Sequence, residues 1–144
     1  QGGRVAVPGC HACGFIALAY PLISEGVMPA DYPVVCYSVT GYSGGGKSMI
    51  SEYEGDSRPA EFDSPRQYGL TQKHKHLPEM RGVCGLEYDP VFAPVVSDFY
   101  SGMAVSFPIH SRLLSKRLSP QGIYELLAHH YKGQDGKRHP AEIR

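Results

Sequence analysis

The chain has no excess of charge of either sign: fourteen Lys and Arg balance fourteen Asp and Glu, and no block of five like charges occurs. That absence argues against a protein of nucleic acids or membrane surfaces. A long apolar run is also missing. The longest, Phe15 to Ile23, is interrupted by Pro21 and falls well short of the roughly 20 residues that a bilayer span requires. No transmembrane helix is expected. The opening residues, Gln1-Gly2-Gly3-Arg4-Val5-Ala6-Val7, contain no Met, no basic n-region and no apolar h-region, so they read as a cut inside a longer protein and not as a signal peptide. No internal repeat, low-complexity tract or linker divides the chain into two cores.

What remains is a chain of 144 residues, one domain's worth, long enough to bury roughly two-thirds of its unfolded surface without a staple. Glycine at 17 and proline at 12 modestly exceed average usage and point to functional loops. Four cysteines without a secretion signal read as thiols, a metal site or catalysis in a cytoplasmic protein, not as a disulfide frame.

Arg4 to Val7 is a short β-like run ended by Pro8-Gly9, and a helical apolar run follows through Phe15, Ile16, Leu18, Leu22 and Ile23. Cys10 therefore sits where a strand turns into a helix. Pro21 should kink that helix, and Gly26 should end it. Val34 to Thr40 is β-branched and nearly continuous in its apolarity, which predicts a strand central in a sheet. Gly41 to Gly46 is a glycine loop, and Ser48 to Tyr53 a short helix. From Gly55 to Gly69 the acidic, proline-rich composition predicts a solvated excursion. Pro78-Glu79 suits a first helical turn, Val91–Val96 and Met103–Ile109 read as strands, and Ser119-Pro120 opens a helix stopped at Gly133. Gln134 to Arg144 reads as a polar tail. The elements add up to one α+β domain.

Four motifs carry chemistry. In Pro8-Gly9-Cys10-His11-Ala12-Cys13 a cysteine at a helix N-terminus faces unpaired N–H groups and the positive end of the dipole, which favours the thiolate and nucleophilic attack. The Cys10-x-x-Cys13 spacing also matches a dithiol redox motif, and spacing alone does not choose. No second pair completes a zinc site, because Cys36 and Cys84 stand apart. Those two read as buried thiols packed like small hydrophobes, and Cys13 is open to the same reading.

Gly41-Tyr42-Ser43-Gly44-Gly45-Gly46-Lys47-Ser48 satisfies the P-loop pattern and follows a strand. Its supports are thin: the next helix has about two turns before Gly55 and Pro59, where a phosphate site needs a sturdy one, and Asp98 is the sole magnesium candidate. The weaker inference is a backbone that wraps an anion or approaches a substrate closely, beside the plain reading of a flexible turn. His74-x-His76 puts two imidazoles on one side of an extended segment, suited to proton transfer at neutral pH; the alternatives are a metal pair lacking a third ligand or a solvated strip. Phe92 to Val96 and Phe99 to Met103 read as two strands joined through an aromatic loop, which means core. His129-His130 suits the C-terminal carbonyls of the last helix.

In this order the motifs resemble N-acetyl-γ-glutamyl-phosphate reductase, the NADPH-dependent family of arginine biosynthesis. The resemblance rests on Val7-Pro8-Gly9-Cys10-His11-Ala12, Ser38-Val39-Thr40-Gly41-Tyr42-Ser43-Gly44-Gly45-Gly46-Lys47 and His74-Lys75-His76-Leu77-Pro78-Glu79, and spans Arg4 to Ile109. Ala30-Asp31-Tyr32-Pro33 and Asp98 to Met103 look nearest to its shorter-chain subtype. Cys13 stands where Thr is usual, and Ser101 where some relatives have Arg.

The resemblance implies an isolated catalytic and dimerisation domain over residues 1–144, with the NADP-binding Rossmann domain absent and no G-x-G-x-x-G after a strand. It implies a mixed β-sheet with helices on one face, like the C-terminal catalytic domain of glyceraldehyde-3-phosphate-dehydrogenase-like enzymes, whose sheet contributes to a homo-oligomer interface. The implied chemistry is attack by Cys10 on an acyl phosphate, departure of phosphate, and reduction of the thioester by NADPH to the semialdehyde. His74 or His76 would move the proton, while Ser43, Gly44 and Lys47 would hold substrate. NADPH would be bound mainly by a domain outside this chain. The competing readings are a CxxC dithiol redox module and a P-loop phosphate binder.

Overall fold

The computed structural model describes residues 7–132. Arg4–Ala6 of the first β-like run, the stop at Gly133 and the tail from Gln134 lie outside the described residues. The fold is α+β: a four-stranded mixed sheet with four α-helices. The helices are α1 (Cys10–Ser24), α2 (Gly46–Glu54), α3 (Leu77–Cys84) and α4 (Pro120–Tyr131), and the strands are β1 (Val35–Gly41), β2 (Arg66–Gln67), β3 (Val91–Ser97) and β4 (Met103–Ser106). None of the described helices is long and apolar enough to cross a membrane.

The sheet order is β2-β3-β1-β4, so β1 is central, as its apolar run predicts. It pairs in parallel with β3, Ser38 opposite Pro94, and antiparallel with β4, Thr40 opposite Met103. The side chains of β1 alternate: Cys36, Ser38 and Thr40 are buried, whereas Val35 and Tyr37 are exposed. On the buried face α1 contributes Ala12, Phe15, Ala19 and Leu22, and α3 contributes Leu77, Met80 and Cys84, to one core with Cys36 and Phe92. Among the described residues, none covers Val35 and Tyr37 on the other face of β1.

Helix α1 runs through Pro21 as one element to Ser24. A proline removes the N–H that would bond the carbonyl four residues back. Here that carbonyl, Ala17 O, accepts instead from the Tyr131 hydroxyl of α4 at 2.8 Å. The helix then closes with Gly26 at φ +63°, Gly26 N bonding Ile23 O and Val27 N bonding Leu22 O, the Schellman arrangement that a left-handed glycine permits. Ser119 caps α4 by accepting from Gly122 N at 3.1 Å. In its last turn, His130 packs edge-on against Tyr20.

Two expectations need correction. The stretch from Gly55 to Gly69 is not merely solvated: it contains a short 3-10 turn (Ala60–Asp63) and β2, and Phe62 is buried with Tyr53 and Val96 in a second small core. The Arg66 guanidinium lies 3.6 Å from the centre of the Phe62 ring, and Arg58 pairs with Asp63. Those contacts offset the acidity that composition alone reads as solvation. Second, Phe92, Val95 and Val96 of β3 are buried as the core reading has it, but Phe99 and Tyr100 of the connection, which crosses β1 to reach β4, are exposed. That connection is a clamp on the glycine loop and not core: Tyr42 N and Ser43 N donate to Phe99 O at 3.0 Å and Tyr100 O at 2.9 Å.

Candidate active site

Cys10 is the first residue of α1, with Gly9 in extended backbone as its N-cap. Its side chain is exposed and unpaired, as is that of Cys13 one turn on. Cys36 and Cys84 are buried, and burial pushes both thiols up to about 11. At neutral pH they are protonated and closed to reagents.

A cleft of about 290 Å³ opens beside Cys10 and is lined by Cys10, Thr40, Gly41, Ser43, Gly44, Gly102 and Met103. The end of β1, the glycine loop, the start of β4 and the N-terminus of α1 thus meet at one place. Gly41 is required for this closure, because a Cβ there would come 2.6 Å from Phe99 O and 2.8 Å from Tyr100 O. Ser43 and Gly44 line the cleft. Lys47 does not; it is exposed in the first turn of α2.

The same hydrogen bonds bear on the P-loop reading. Gly41 N, Tyr42 N and Ser43 N are engaged by Gly102 O, Phe99 O and Tyr100 O, and Gly46 N by Ser43 O. Those four amides cannot also donate to a phosphate. Asp98, the magnesium candidate, is bound by Arg58 at 2.7 Å.

His74 and His76 meet the Cys10 turn from the side of α3. His76, the N-cap of α3, is buried and lies against Gly9, while its own N–H donates to His74 Nδ1 at 3.2 Å. Gly9 N donates to both carboxylate oxygens of Glu79, at 3.3 and 3.2 Å. Burial lowers the pKa of both imidazoles; His74 is lowered further by His76 and Lys75, and at His76 the Glu79 carboxylate opposes the effect. The two rings stand edge to face with centroids 4.6 Å apart.

Residues that the sequence does not single out complete the cluster. His11 is buried, its Nδ1 paired with Ser38 Oγ and its Nε2 with the Tyr68 hydroxyl, each at 2.8 Å. Its centroid lies 5.9 Å from that of His74 and 5.8 Å from that of His76. Ser38 shares its face with Thr40 by the period of two, which is a readable signal. Tyr68 lies in the segment whose composition reads as solvated, and Glu79 reads only as a helix-starting acid.

The family described as semialdehyde dehydrogenase, dimerisation domain, matches residues 10–139. The chain belongs to that family. Among curated relatives of this dimerisation domain is N-acetyl-gamma-glutamyl-phosphate reductase of Chelativorans sp. (strain BNC1), 46% identical over 136 residues, which cover 94% of this chain and 43% of the relative. The protein of that name from Rhizobium meliloti (strain 1021) is 45% identical over 132 residues, covering 91% and 43%. N-acetyl-gamma-glutamyl-phosphate reductase 2 of Pseudomonas putida is 39% identical over 135 residues, covering 92% and 42%. The dimerisation domain therefore spans less than half the length of these relatives.

Proposed function

We propose that this chain is the catalytic and dimerisation part of an N-acetyl-γ-glutamyl-phosphate reductase of arginine biosynthesis, with Cys10 as its nucleophile. The observation that carries this reading is an exposed cysteine at the first position of α1, opening onto a cleft and backed by a histidine pair. The Cys10 thiolate would attack the acyl carbon and phosphate would leave, forming a thioester. His74 or His76, at the turn that holds Cys10, would take the proton that the Cys10 thiol gives up and pass it to the departing phosphate, and would move the proton on the hemithioacetal oxygen once the thioester is reduced. The Ser43 hydroxyl and the Gly44 backbone, both at the cleft, would position the substrate. Lys47 would contribute only through its charge, since it is not part of the lining.

The described residues do not fit a dinucleotide. Gly41 N, Tyr42 N and Ser43 N are engaged by backbone carbonyls, which leaves that stretch of the loop without donors for a pyrophosphate. In this reading NADPH is held mainly by residues outside the chain, which agrees with relatives more than twice its length. The fold would be that of the catalytic domain of glyceraldehyde-3-phosphate-dehydrogenase-like enzymes. The open sheet face, with Val35, Tyr37 and Val91 exposed by 41%, 43% and 55%, would pack against a second copy in a cytoplasmic homo-oligomer.

Acyl transfer needs no NADPH and is testable on this chain. Incubation with N-acetylglutamyl 5-phosphate should release a burst of one phosphate per chain, lost in Cys10→Ser and kept in Cys13→Ser. A burst that persists in Cys10→Ser, or that needs both cysteines, would overturn the reading.

A further inference from the structure

His11 is neither solvent-exposed nor a spectator in the core. As the residue after Cys10, it turns its ring from the first turn of α1 onto the sheet. There it bridges Ser38 of β1 and Tyr68, which follows β2, and packs edge-on against Phe92 of β3 at a centroid distance of 5.2 Å. Three parts of the sheet thus hold the residue adjoining the nucleophile. The same ring lies beside His74 and His76.

We propose that His11 is a positioning residue for acyl transfer: clamped between Ser38 and Tyr68, it fixes the Cys10 turn and forms the uncharged wall that leaves the working proton to His74 and His76. This rests on the reading of Cys10 and the histidine pair given above. Either neutral tautomer satisfies both bonds, one ring nitrogen donating and the other accepting. Among the described residues, the ring's hydrogen-bond and aromatic partners are Ser38, Tyr68, His74, His76 and Phe92, none of them a carboxylate. A second proton on His11 would be buried without an opposite charge. Burial, reinforced by His74 and His76, indeed pushes its pKa down to about 4. The groups that titrate around it are Cys10 on its own helix, Tyr68, pushed up to about 12, and His74 and His76, with Glu79 beside His76.

The test uses Tyr68→Phe, which deletes one clamp bond at nearly constant volume, with His11→Phe and His11→Gln. Burst rate and half-saturating acyl phosphate concentration are measured against pH, with circular dichroism as a check on folding. The expected result for Tyr68→Phe and His11→Phe is a burst rate at least about tenfold lower, half-saturation within about twofold of the parent, and a displaced acid limb of the profile. His11→Gln, which keeps a donor and an acceptor, should recover part of the rate. Folded Tyr68→Phe and His11→Phe chains with parental rate and profile would overturn the proposal, and so would a rate loss with an unmoved profile, which marks a merely structural residue. Cys10→Ser run alongside separates the two claims. If it keeps the burst, the nucleophile reading fails; if it loses the burst while Tyr68→Phe and His11→Phe are unchanged, only the role of His11 fails.

Discussion

The imidazole of His76 occupies the space that a side chain on Gly9 would need. A Cβ at Gly9 would run into the ring, with Cε1 at 2.6 Å, so the residue before Cys10 is a glycine because a histidine is packed onto its backbone. Gly9→Ala should displace His76 or the first turn of α1. The expected cost is about 1–3 kcal/mol, typical of overpacking, with the acyl-transfer burst slowed at least about tenfold. Urea unfolding and burst kinetics of Gly9→Ala check both, and a variant of parental stability and rate would contradict the packing.

Stability should fall as the solution is acidified below neutrality. His11 is held at about 4 in the folded chain against 6.5 ordinarily, so between those values the unfolded chain binds more protons. Stability then rises with pH across that window and is lost as pH falls from 6.5 toward 4. At about 1.4 kcal/mol per unit, His11 contributes up to about 3 kcal/mol of that loss. His74 and His76, also lowered, act in the same direction. Urea midpoints measured across the window for parent and His11→Phe should show the shallower slope in the variant.

The carbonyl that Pro21 leaves without a helical donor makes Tyr131 a structural partner of α1. Tyr131→Phe should cost about 1 kcal/mol in unfolding free energy. In a Pro21→Ala background the restored N–H bonds Ala17 O, and the cost of Tyr131→Phe should shrink. A double-mutant cycle by chemical denaturation reads this coupling, and additive effects would refute it.

Much of this fold is legible in the sequence, and the misses share one physical origin. The starts of α3 and α4 follow from Pro78-Glu79 and Ser119-Pro120, and the end of α1 from Gly26, because capping is local chemistry. Cys10 at a helix N-terminus and the glycine loop after a central strand are likewise local. What local reading cannot supply is a partner far along the chain. At Pro21 the local reading does not find the donor that serves Ala17 O, because Tyr131 lies 114 residues away. Gly55 to Gly69 reads as solvated because Phe62 and Arg66 find Tyr53 and Val96 only in the folded chain. His11 goes unread because Ser38 and Tyr68 stand 27 and 57 residues away.

The open face of the sheet supplies a separate expectation. Tyr37, 43% exposed on the central strand, would be covered by a second copy, and a buried carboxylate there would be left without a partner. Tyr37→Glu should therefore convert the chain to a monomer without loss of folding. Size-exclusion chromatography with light scattering checks the mass, and an unchanged oligomer would move the interface elsewhere.

The most direct test of Cys10 as nucleophile is to locate the acyl group itself. The chain is mixed with N-acetylglutamyl 5-phosphate without NADPH, quenched in acid, digested and mapped by mass spectrometry. The expected result is an N-acetylglutamyl adduct confined to Cys10, removed by hydroxylamine and absent from Cys10→Ser. An adduct on Cys13 or a lysine, or no adduct on folded chain, would contradict the assignment.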